Sequence, residues 1–322
     1  MAQNVAHFEY NGKLGWGLVS EEFIQPFPES WGSTTAEIIA HKAEIRALAA
    51  SPGKAWGESI ALESVNLLSP ITTPCRIYCQ GMNYRSHLES ANVSTKDRGF
   101  NTFFTKSSAS VTGPRGSIVR PAHVQLLDYE LELGLVIGRE VRSEQTVSEQ
   151  GLSDVVAGLV IGNDVSARCV QLTQVQFFKG KSYRSFCPLG PYLCLLDADE
   201  YHYIDKLDLH LRVNGATRQS DTTANMIFKP AETLTELTQF ADLHVGDVVL
   251  TGTPGGCAVK APTNKALLLA AKLMPEAMKW RVFVKKQLAI EEYLRHGDVV
   301  RASIVSKDRR IDLGEQIHQV MA

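Results

Sequence analysis

The chain lacks any feature that would tie it to a membrane or to nucleic acid. No apolar stretch reaches the roughly 18 residues that a transmembrane helix needs. Lys and Arg (33) nearly balance Asp and Glu (35), and the formal net charge of -2 gives no sign of a nucleic-acid-binding surface. Residues 1–9 do not show the basic and then apolar pattern of a secretory signal. We therefore expect a cytoplasmic protein with no membrane and no nucleic-acid partner.

Cysteine is also scarce. Six cysteines in 322 residues do not form the dense pattern of a disulfide-stabilised secreted protein. Cys75 and Cys79 are separated by three residues, but no His and no second Cys pair completes a set of zinc ligands. We expect all six to be buried, reduced thiols. The sequence thus predicts neither a disulfide framework nor a zinc site.

The remaining composition, with 44% hydrophobic and 21% charged residues, is that of an ordinary globular protein. Residues 1–72 are interpreted as a small N-terminal domain, in which short apolar segments precede an amphipathic stretch at about residues 36–50. From residue 73 onward, short β-type runs dominate and are separated by turn signals such as Asn214-Gly215. The pattern predicts an α+β, mostly β fold, with a barrel or rolled sheets in residues 73–322.

One segment departs from this pattern. Residues 264–295 are rich in Ala, Leu and Lys and are interrupted by Pro275, which predicts two helices in an insertion at about 258–296. This insertion is either a packed helical hairpin or a lid or dimer contact.

Two glutamates lie one residue apart in an apolar strand. Because alternate side chains of a strand share one face, Glu130 and Glu132 should point the same way. Two ionised carboxylates in such a strand repel each other and lose hydration, and a bound cation relieves both effects. Asp164 follows the apolar run 158–162 and supplies a third oxygen ligand. Three hard oxygen ligands favour Mg²⁺, Mn²⁺ or Ca²⁺ over zinc.

Four further motifs accompany these carboxylates. The last of them ends a strand in a glycine-rich loop whose backbone N–H groups could hold an anion. The four are GMNYRSH at 81–87, DVSARCVQ at 164–171, KGKSYRSFCPLGP at 179–191 and GDVVLTGTPGG at 246–256. Together with the glutamate pair, and in this order, they resemble the fumarylacetoacetate hydrolase family over roughly residues 74–257 and 296–320.

The resemblance implies a mixed β-roll or barrel catalytic domain and a homodimer. It also implies a divalent metal, usually Mg²⁺, and chemistry on acylpyruvates or other β-diketo acids. The metal would be held by three carboxylates, those of Glu130, Glu132 and Asp164.

By the same resemblance, the substrate and the developing oxyanion are held by Arg168, Gln171 and Lys181. His87 matches the histidine that activates water, and Thr253 matches a threonine that touches the substrate.

Two positions near this histidine leave alternatives open. Many family hydrolases have a Glu three residues after it, where this chain has Ser90. Glu89, one residue earlier, is the candidate helper of His87. Tyr84 either contacts the substrate or packs in the core.

These roles predict a Mg²⁺-dependent hydrolase of the acylpyruvase type. Water activated by His87 would attack the distal carbonyl, and C–C cleavage would release pyruvate or a similar keto acid through a metal-stabilised enolate. The same enolate step would serve a decarboxylase, an isomerase or a sugar-acid dioxo-hydrolase. An inactive metal-binding scaffold is the alternative from a different class.

Overall fold

Two β-sheets form the framework of the protein. The computed structural model describes residues 2–51, 58–90, 99–261 and 274–322. Its strands are β1 (Gln3–Tyr10), β2 (Lys13–Ser20), β3 (Phe23–Pro26), β4 (Ile60–Ala61), β5 (Asn66–Leu68), β6 (Ile77–Gly81), β7 (Thr102–Lys106), β8 (Val111–Thr112), β9 (Ile118–Val119), β10 (Leu127–Asp128), β11 (Leu131–Ile137), β12 (Val156–Asn163), β13 (Ser166–Ala167), β14 (Cys187–Pro188), β15 (Leu193–Leu195), β16 (Leu207–Val213), β17 (Ala216–Thr222), β18 (Val248–Leu250), β19 (Val299–Ser306) and β20 (Asp312–Met321).

The α-helices are short and lie between these strands. They are α1 (Thr35–Ala40), α2 (Lys42–Ala50), α3 (Arg85–Ser90), α4 (Leu152–Val155), α5 (Arg168–Gln171), α6 (Phe177–Lys181), α7 (Pro230–Leu237) and α8 (Glu276–Gln287). The predicted α+β, mostly β fold is confirmed.

The large sheet has the strand order β4-β3-β2-β1-β15-β12-β11-β18-β6-β7, with β5 paired to β1. It includes strands from both predicted domains, because β1 pairs antiparallel with β15 and brings Gln3 opposite Leu195. The N-terminal strands therefore extend the same sheet that carries the glutamate pair. A domain boundary at residue 72 stays a prediction.

Strand β11 lies near the middle of this sheet, between β12 and β18, and pairs antiparallel with both. All its residues are buried, which explains its nearly continuous apolar sequence. Leu131, Leu133 and Leu135 enter one core cluster, whereas Val136 enters a second cluster on the opposite face. The even-numbered positions, including Glu132, thus face the second cluster.

The smaller sheet has the order β17-β16-β19-β20-β9. The first core cluster joins its inward residues, such as Leu209 and Ile304, to the leucines of β11. Strands β16 and β17 form a hairpin at Asn214 and Gly215, whose φ values of 52° and 83° are those of a type I′ turn. The turn signal at 214–215 is therefore confirmed.

The insertion contains at least the second of its two predicted helices. Helix α8 begins directly after Pro275, and Gln287 is its buried residue. Residues 262–273, where the first helix was predicted, lie outside the described residues. After α8, the Leu294 backbone N–H donates to the Leu127 carbonyl oxygen, so the end of the insertion rests on the strand that precedes the glutamates.

All six cysteines are free thiols. Cys75 and Cys169 are half-buried and the other four are buried, in close agreement with the prediction. Among the helices that the structure describes, none is long and apolar enough to cross a membrane.

Candidate active site

The three predicted carboxylates come together at one end of β11. Oxygen atoms of Glu130, Glu132 and Asp164 lie within 4.8 Å of one another, and all three residues are buried. The strand register explains the arrangement, because the first residue of β11, Leu131, pairs with the last residue of β12, Asn163. Glu130 and Asp164 are therefore neighbours, and the Asp164 N–H donates to the Glu130 carbonyl oxygen at 2.8 Å.

The glycine-rich loop after β18 contacts the third carboxylate. The Gly252 N–H donates to Glu132 Oε2 at 2.8 Å. Gly252 has a φ of +87°, and a Cβ there would lie 2.7 Å from the Cβ of Asn83. Only glycine fits both the conformation and the space, so this position requires it.

Two buried lysines neutralise part of this negative charge. Lys181 Nζ lies 2.8 Å from Glu130 Oε2 and also contacts Asp164 Oδ2. Lys106 Nζ lies 2.5 Å from Asp164 Oδ1 and donates to the carbonyl oxygen of Lys181. Asp164 is thus held between two ammonium groups, whereas neither ammonium forms an ion pair with Glu132 in the described chain.

Arg168 forms a second, adjacent ionic group. Its Nε lies 2.9 Å from Asp128 Oδ2, its Nη2 lies 2.5 Å from Glu130 Oε1, and its Nη1 donates to Gln171 Oε1 at 2.8 Å. Asp128 also accepts hydrogen bonds from the N–H groups of Ala258 and Val259. The aspartate therefore fixes both the guanidinium and the first residues of the insertion.

Helices α5 and α6, which carry these cations, pack closely against each other. A Cβ at Gly180 would lie 2.8 Å from the backbone nitrogen of Gln171, so a side chain there would push the helices apart. Their contact brings Arg168 and Lys181 to the same carboxylate, that of Glu130.

The charges leave one carboxylate uncompensated. Burial alone would raise the pKa of Glu130, but Lys181 and Arg168 hold that pKa well below its usual range. Burial raises the pKa of Glu132 well above its usual range, and the charges of Asp164 and Glu130 raise it further. A cation among the three carboxylates would remove this penalty, and the donor set consists of hard oxygens. The residues present therefore fit a divalent metal ion.

His87 lies on α3 and is half-buried. Burial lowers the pKa of its imidazole, while the nearby charge of Glu130 raises it and those of Arg168 and Lys181 lower it. Nδ1 lies 3.8 Å from the thiol sulfur of Cys257. Within the described ranges, no Asp or Glu forms an ion pair with the imidazole.

In the described chain, neither Glu89, the candidate helper, nor Ser90 contacts this imidazole with its side chain. The Glu89 side chain is exposed to solvent. The Ser90 hydroxyl donates to the backbone carbonyl of His87 at 2.8 Å. A role for Glu89 stays a prediction that this arrangement does not support.

Two predicted substrate contacts are fully enclosed. Tyr84 is buried in the first core cluster, and its hydroxyl has no hydrogen-bond partner among the described residues. The Thr253 hydroxyl donates to the Leu131 carbonyl at 2.9 Å and accepts from Gln219 Nε2 at 2.8 Å. Its proton is already used, so the side chain supports the loop, and contact of either residue with substrate stays a prediction.

Sequence reasoning missed two charged members of this site, Lys106 and Asp128. Asp128 stands two residues before Glu130 and shares its apolar surroundings, so the same argument applies to it. Lys106 is the last residue of the strand TFFTK. A lysine at the end of such a strand was the one sequence feature that could have indicated a buried cation. Its partner Asp164 is 58 residues away in the chain, which no local motif indicates.

Most of the chain matches a known protein family. Residues 76–321 match the family described as fumarylacetoacetate (FAA) hydrolase, C-terminal. The chain belongs to the fumarylacetoacetate hydrolase family. The three carboxylates and the four motifs all lie within the matched residues.

Several curated relatives are tautomerases. The mitochondrial oxaloacetate tautomerase FAHD2A of Bos taurus is 38% identical over 199 residues, which are 61% of this chain and 60% of the relative. The human mitochondrial oxaloacetate tautomerase FAHD2B is 36% identical over 219 residues, 66% of this chain and 65% of the relative. The chain thus matches about three-fifths of the length of the first of these relatives. Because both relatives are mitochondrial, a cytoplasmic location stays a prediction.

Two solved structures are similar over nearly the whole chain. The fumarylacetoacetate hydrolase of Exiguobacterium antarcticum has a TM-score of 0.75 and 30% identity, covering 99% of each chain. A probable 2-hydroxyhepta-2,4-diene-1,7-dioate isomerase from Mycobacterium abscessus has a TM-score of 0.71 and 27% identity, covering 100% of this chain and 98% of its own. Relatives of this fold thus include both a hydrolase and an isomerase.

Proposed function

We propose that this protein is a divalent-metal-dependent enzyme that interconverts the keto and enol forms of an enolisable 2-oxo acid, with oxaloacetate as the first substrate to test. The observation that carries the proposal is the surroundings of His87. Its Nδ1 faces the Cys257 thiol at 3.8 Å and no carboxylate pairs with it in the described chain. A histidine that activates water gains from a carboxylate partner that stabilises the imidazolium. A histidine that only moves a proton between carbon and oxygen needs no activated water.

The remaining groups suit an anionic substrate whose charge grows on enolisation. A divalent ion held by Glu130, Glu132 and Asp164, most simply Mg²⁺, would supply Lewis-acid stabilisation of that charge. Lys181 and Arg168 both form ion pairs with Glu130, so their positive charges lie next to the carboxylate cluster. Preorganised donors of this kind stabilise developing negative charge without reorganising during the reaction.

His87 would carry the proton. With Nδ1 facing Cys257, its Nε2 is the nitrogen left to face the substrate. Burial favours the neutral imidazole, which can accept a proton. The C3–H bond of the keto acid would break, the C2–C3 double bond would form, and the proton would return to the C2 oxygen as an O–H group. The relatives described as oxaloacetate tautomerases support this assignment.

Hydrolysis of an acylpyruvate is the second candidate. It is favoured by the similarity over 99% of the chain to a fumarylacetoacetate hydrolase. The cluster of Arg168, Gln171 and Lys181 would equally stabilise a tetrahedral oxyanion. Decarboxylation of a β-keto acid would use the metal without activated water. A homodimer is proposed for either candidate on the strength of the family.

A substrate panel tests these candidates. Oxaloacetate is followed by the absorbance of its enol and by pyruvate formation, and acylpyruvates are followed by pyruvate release, each with Mg²⁺ and with EDTA. We expect EDTA-sensitive enol–keto exchange that exceeds pyruvate release from every substrate. EDTA-sensitive pyruvate release from acylpyruvates would favour the hydrolase, and equal rates with EDTA would contradict metal dependence. No turnover with intact Mg²⁺ affinity would indicate a scaffold.

The variant His87→Gln separates binding from chemistry. Loss of a general acid–base group typically costs about 100-fold or more in rate. We therefore expect that loss in kcat for enol–keto exchange, with Mn²⁺ affinity measured by titration calorimetry within about twofold of the wild type, since His87 is not among the three carboxylates. A His87→Gln protein with wild-type kcat would remove this residue from the reaction.

A further inference from the structure

We propose that Ser86 and Asp221 are positioning residues that set the place of His87 relative to the metal-binding carboxylates. The inference rests on the proposed function, in which His87 moves the proton. It concerns a chain of hydrogen bonds that joins helix α3, strand β17 and the loop after β18.

The need for such an anchor follows from the small size of α3. The helix has six residues, and the N–H groups of His87 and Leu88 both donate to the Tyr84 carbonyl oxygen. The His87 side chain has one weak polar contact in the described chain, the one with the Cys257 thiol. A single contact with a weak donor does not fix an imidazole, so the placement of the helix has to do so.

Asp221 provides a fixed point for that helix. The Ser86 hydroxyl, next to His87 in the chain, donates to Asp221 Oδ2 at 2.5 Å. The other oxygen, Oδ1, accepts from the Thr222 N–H at 2.8 Å and from Asn225 Nδ2 at 2.7 Å. Because both oxygens are engaged, the carboxylate cannot turn away without breaking bonds. Strand β17 in turn pairs with β16 along its length.

The same hydroxyl ties α3 to the glycine-rich loop. Ser86 Oγ accepts from the Gly255 N–H at 2.9 Å, and a Cβ at Gly255 would lie 2.8 Å from the Ser86 carbonyl oxygen. Three residues earlier, Gly252 donates to the Glu132 carboxylate. The loop therefore contacts the helix of the base at one end and a metal-binding carboxylate at the other, which fixes the distance between them.

These bonds predict that the residues that hold His87 are separate from the residues that bind the metal. Ser86 and Asp221 do not touch the three carboxylates in the described structure, so their loss should leave metal binding intact. It should displace His87, and a displacement of about 1 Å can cost about 100-fold in rate.

The test uses Ser86→Ala, Asp221→Asn and the double variant in the full chain. With oxaloacetate and Mg²⁺, we expect kcat for enol–keto exchange to fall about 10- to 100-fold in each single variant, with Mn²⁺ affinity within about twofold of the wild type. The kcat of the double variant should lie within about twofold of the kcat of the slower single variant, because both changes break the same chain of hydrogen bonds. Hydrogen–deuterium exchange of residues 82–90 should quicken in all three.

Ser220→Ala is the matched control. Ser220 lies on β17 beside Asp221, but its hydroxyl contacts His210 on the exposed face. This variant should keep wild-type kcat and exchange. Unchanged kcat in both single variants, a parallel loss of Mn²⁺ affinity, or unchanged exchange of residues 82–90 would overturn the positioning role. A wild-type protein without turnover would instead remove the proposed function, and exchange would still decide whether the anchor exists.

Discussion

The two halves of the candidate site are built in different ways. In the carboxylate half, Glu130, Glu132 and Asp164 are fully buried next to paired strands, and Lys106 and Lys181 bond directly to them. In the histidine half, one imidazole on a six-residue helix is half-buried and has a single weak polar contact in the described chain. The first half is determined by many simultaneous bonds, and the second depends on how one short helix is held.

This difference predicts that the two halves respond differently to substitution. Removing one partner of a buried ion pair leaves the other charge uncompensated, so the residues paired with Glu130 and Asp164 tolerate little change. An imidazole at the edge of the site can change its neighbours without unfolding the protein. A hydrolase and a probable isomerase share this fold. Experiments that damage one half should therefore leave the other nearly intact.

The largest effect is expected at Lys106. Lys106→Met leaves Asp164 with one ammonium partner and removes a buried ion pair at 2.5 Å. Breaking such a pair by removing one partner typically costs about 3–5 kcal/mol. We expect the free energy of unfolding, measured by urea denaturation in EDTA, to fall by that amount.

Lys42→Met provides the comparison. Lys42 Nζ donates to the Ala157 carbonyl oxygen at 3.0 Å, and burial, together with the charge of Arg46, lowers its pKa to about 8. Removing this contact should cost at most about 1 kcal/mol, because the variant also removes a charge that burial disfavours. Equal losses of unfolding free energy in the two variants would mean that the Lys106–Asp164 ion pair stabilises the fold no more than a single hydrogen bond does.

A smaller effect, and one of opposite sign on stability, is expected at Glu132. Its pKa is raised by burial and by the charges of Asp164 and Glu130, so ionised Glu132 opposes folding when no metal is bound. Glu132→Gln keeps an oxygen for the Gly252 N–H and removes the charge. We expect Mn²⁺ affinity, measured by calorimetry, to fall at least about 100-fold, since even outer-shell partners are worth about 10- to 100-fold.

The stability of this variant tests directly whether the charge of Glu132 destabilises the metal-free protein. In EDTA, Glu132→Gln should unfold at the same or a higher urea concentration than the wild type. Asp164→Asn, which leaves two buried ammonium groups without their shared carboxylate, should unfold at a lower one. If both variants are destabilised alike, the charge of Glu132 is compensated in the folded protein and the argument for a bound cation weakens.

The same contrast explains what the sequence could predict. Glu130 and Glu132 were placed correctly because strand alternation is a local rule, and Asp164 because it ends an equally clear apolar run. Lys106 and Asp221 could not be placed this way, because each acts across more than 50 residues on a partner that no motif links to it.

The continuity of the large sheet could not be predicted from the sequence either. The pairing of β1 with β15 joins residues almost two hundred positions apart. No residue pattern in either strand identifies the other as its partner. An open strand edge can pair with any other open edge, so local sequence does not specify the partner. The sequence motifs therefore predict the residues of the site better than they predict the strand pairing that supports it.

An effect that depends on pH is expected at a histidine outside the candidate site. His318 on β20 is buried, its Nδ1 lies 2.7 Å from the Gly116 carbonyl oxygen, and its Nε2 has no partner among the described residues. Because the carbonyl only accepts, Nδ1 carries the proton of the neutral ring, and a second proton on Nε2 would be a buried, unpaired charge. Burial therefore lowers the pKa of His318 to about 4, against a usual value of 6.5.

The sign of the pH effect follows from this lowered pKa. Between pH 6.5 and 4 the unfolded chain binds a proton at His318 that the folded chain does not, so the stability present above pH 6.5 is lost as the pH falls through this window. The full loss is about 3 kcal/mol, with no further loss from this group below pH 4. Urea denaturation at pH 7 and pH 4.5 should show a smaller fall for His318→Gln than for the wild type. An equal fall in both proteins would place the acid sensitivity elsewhere in the chain.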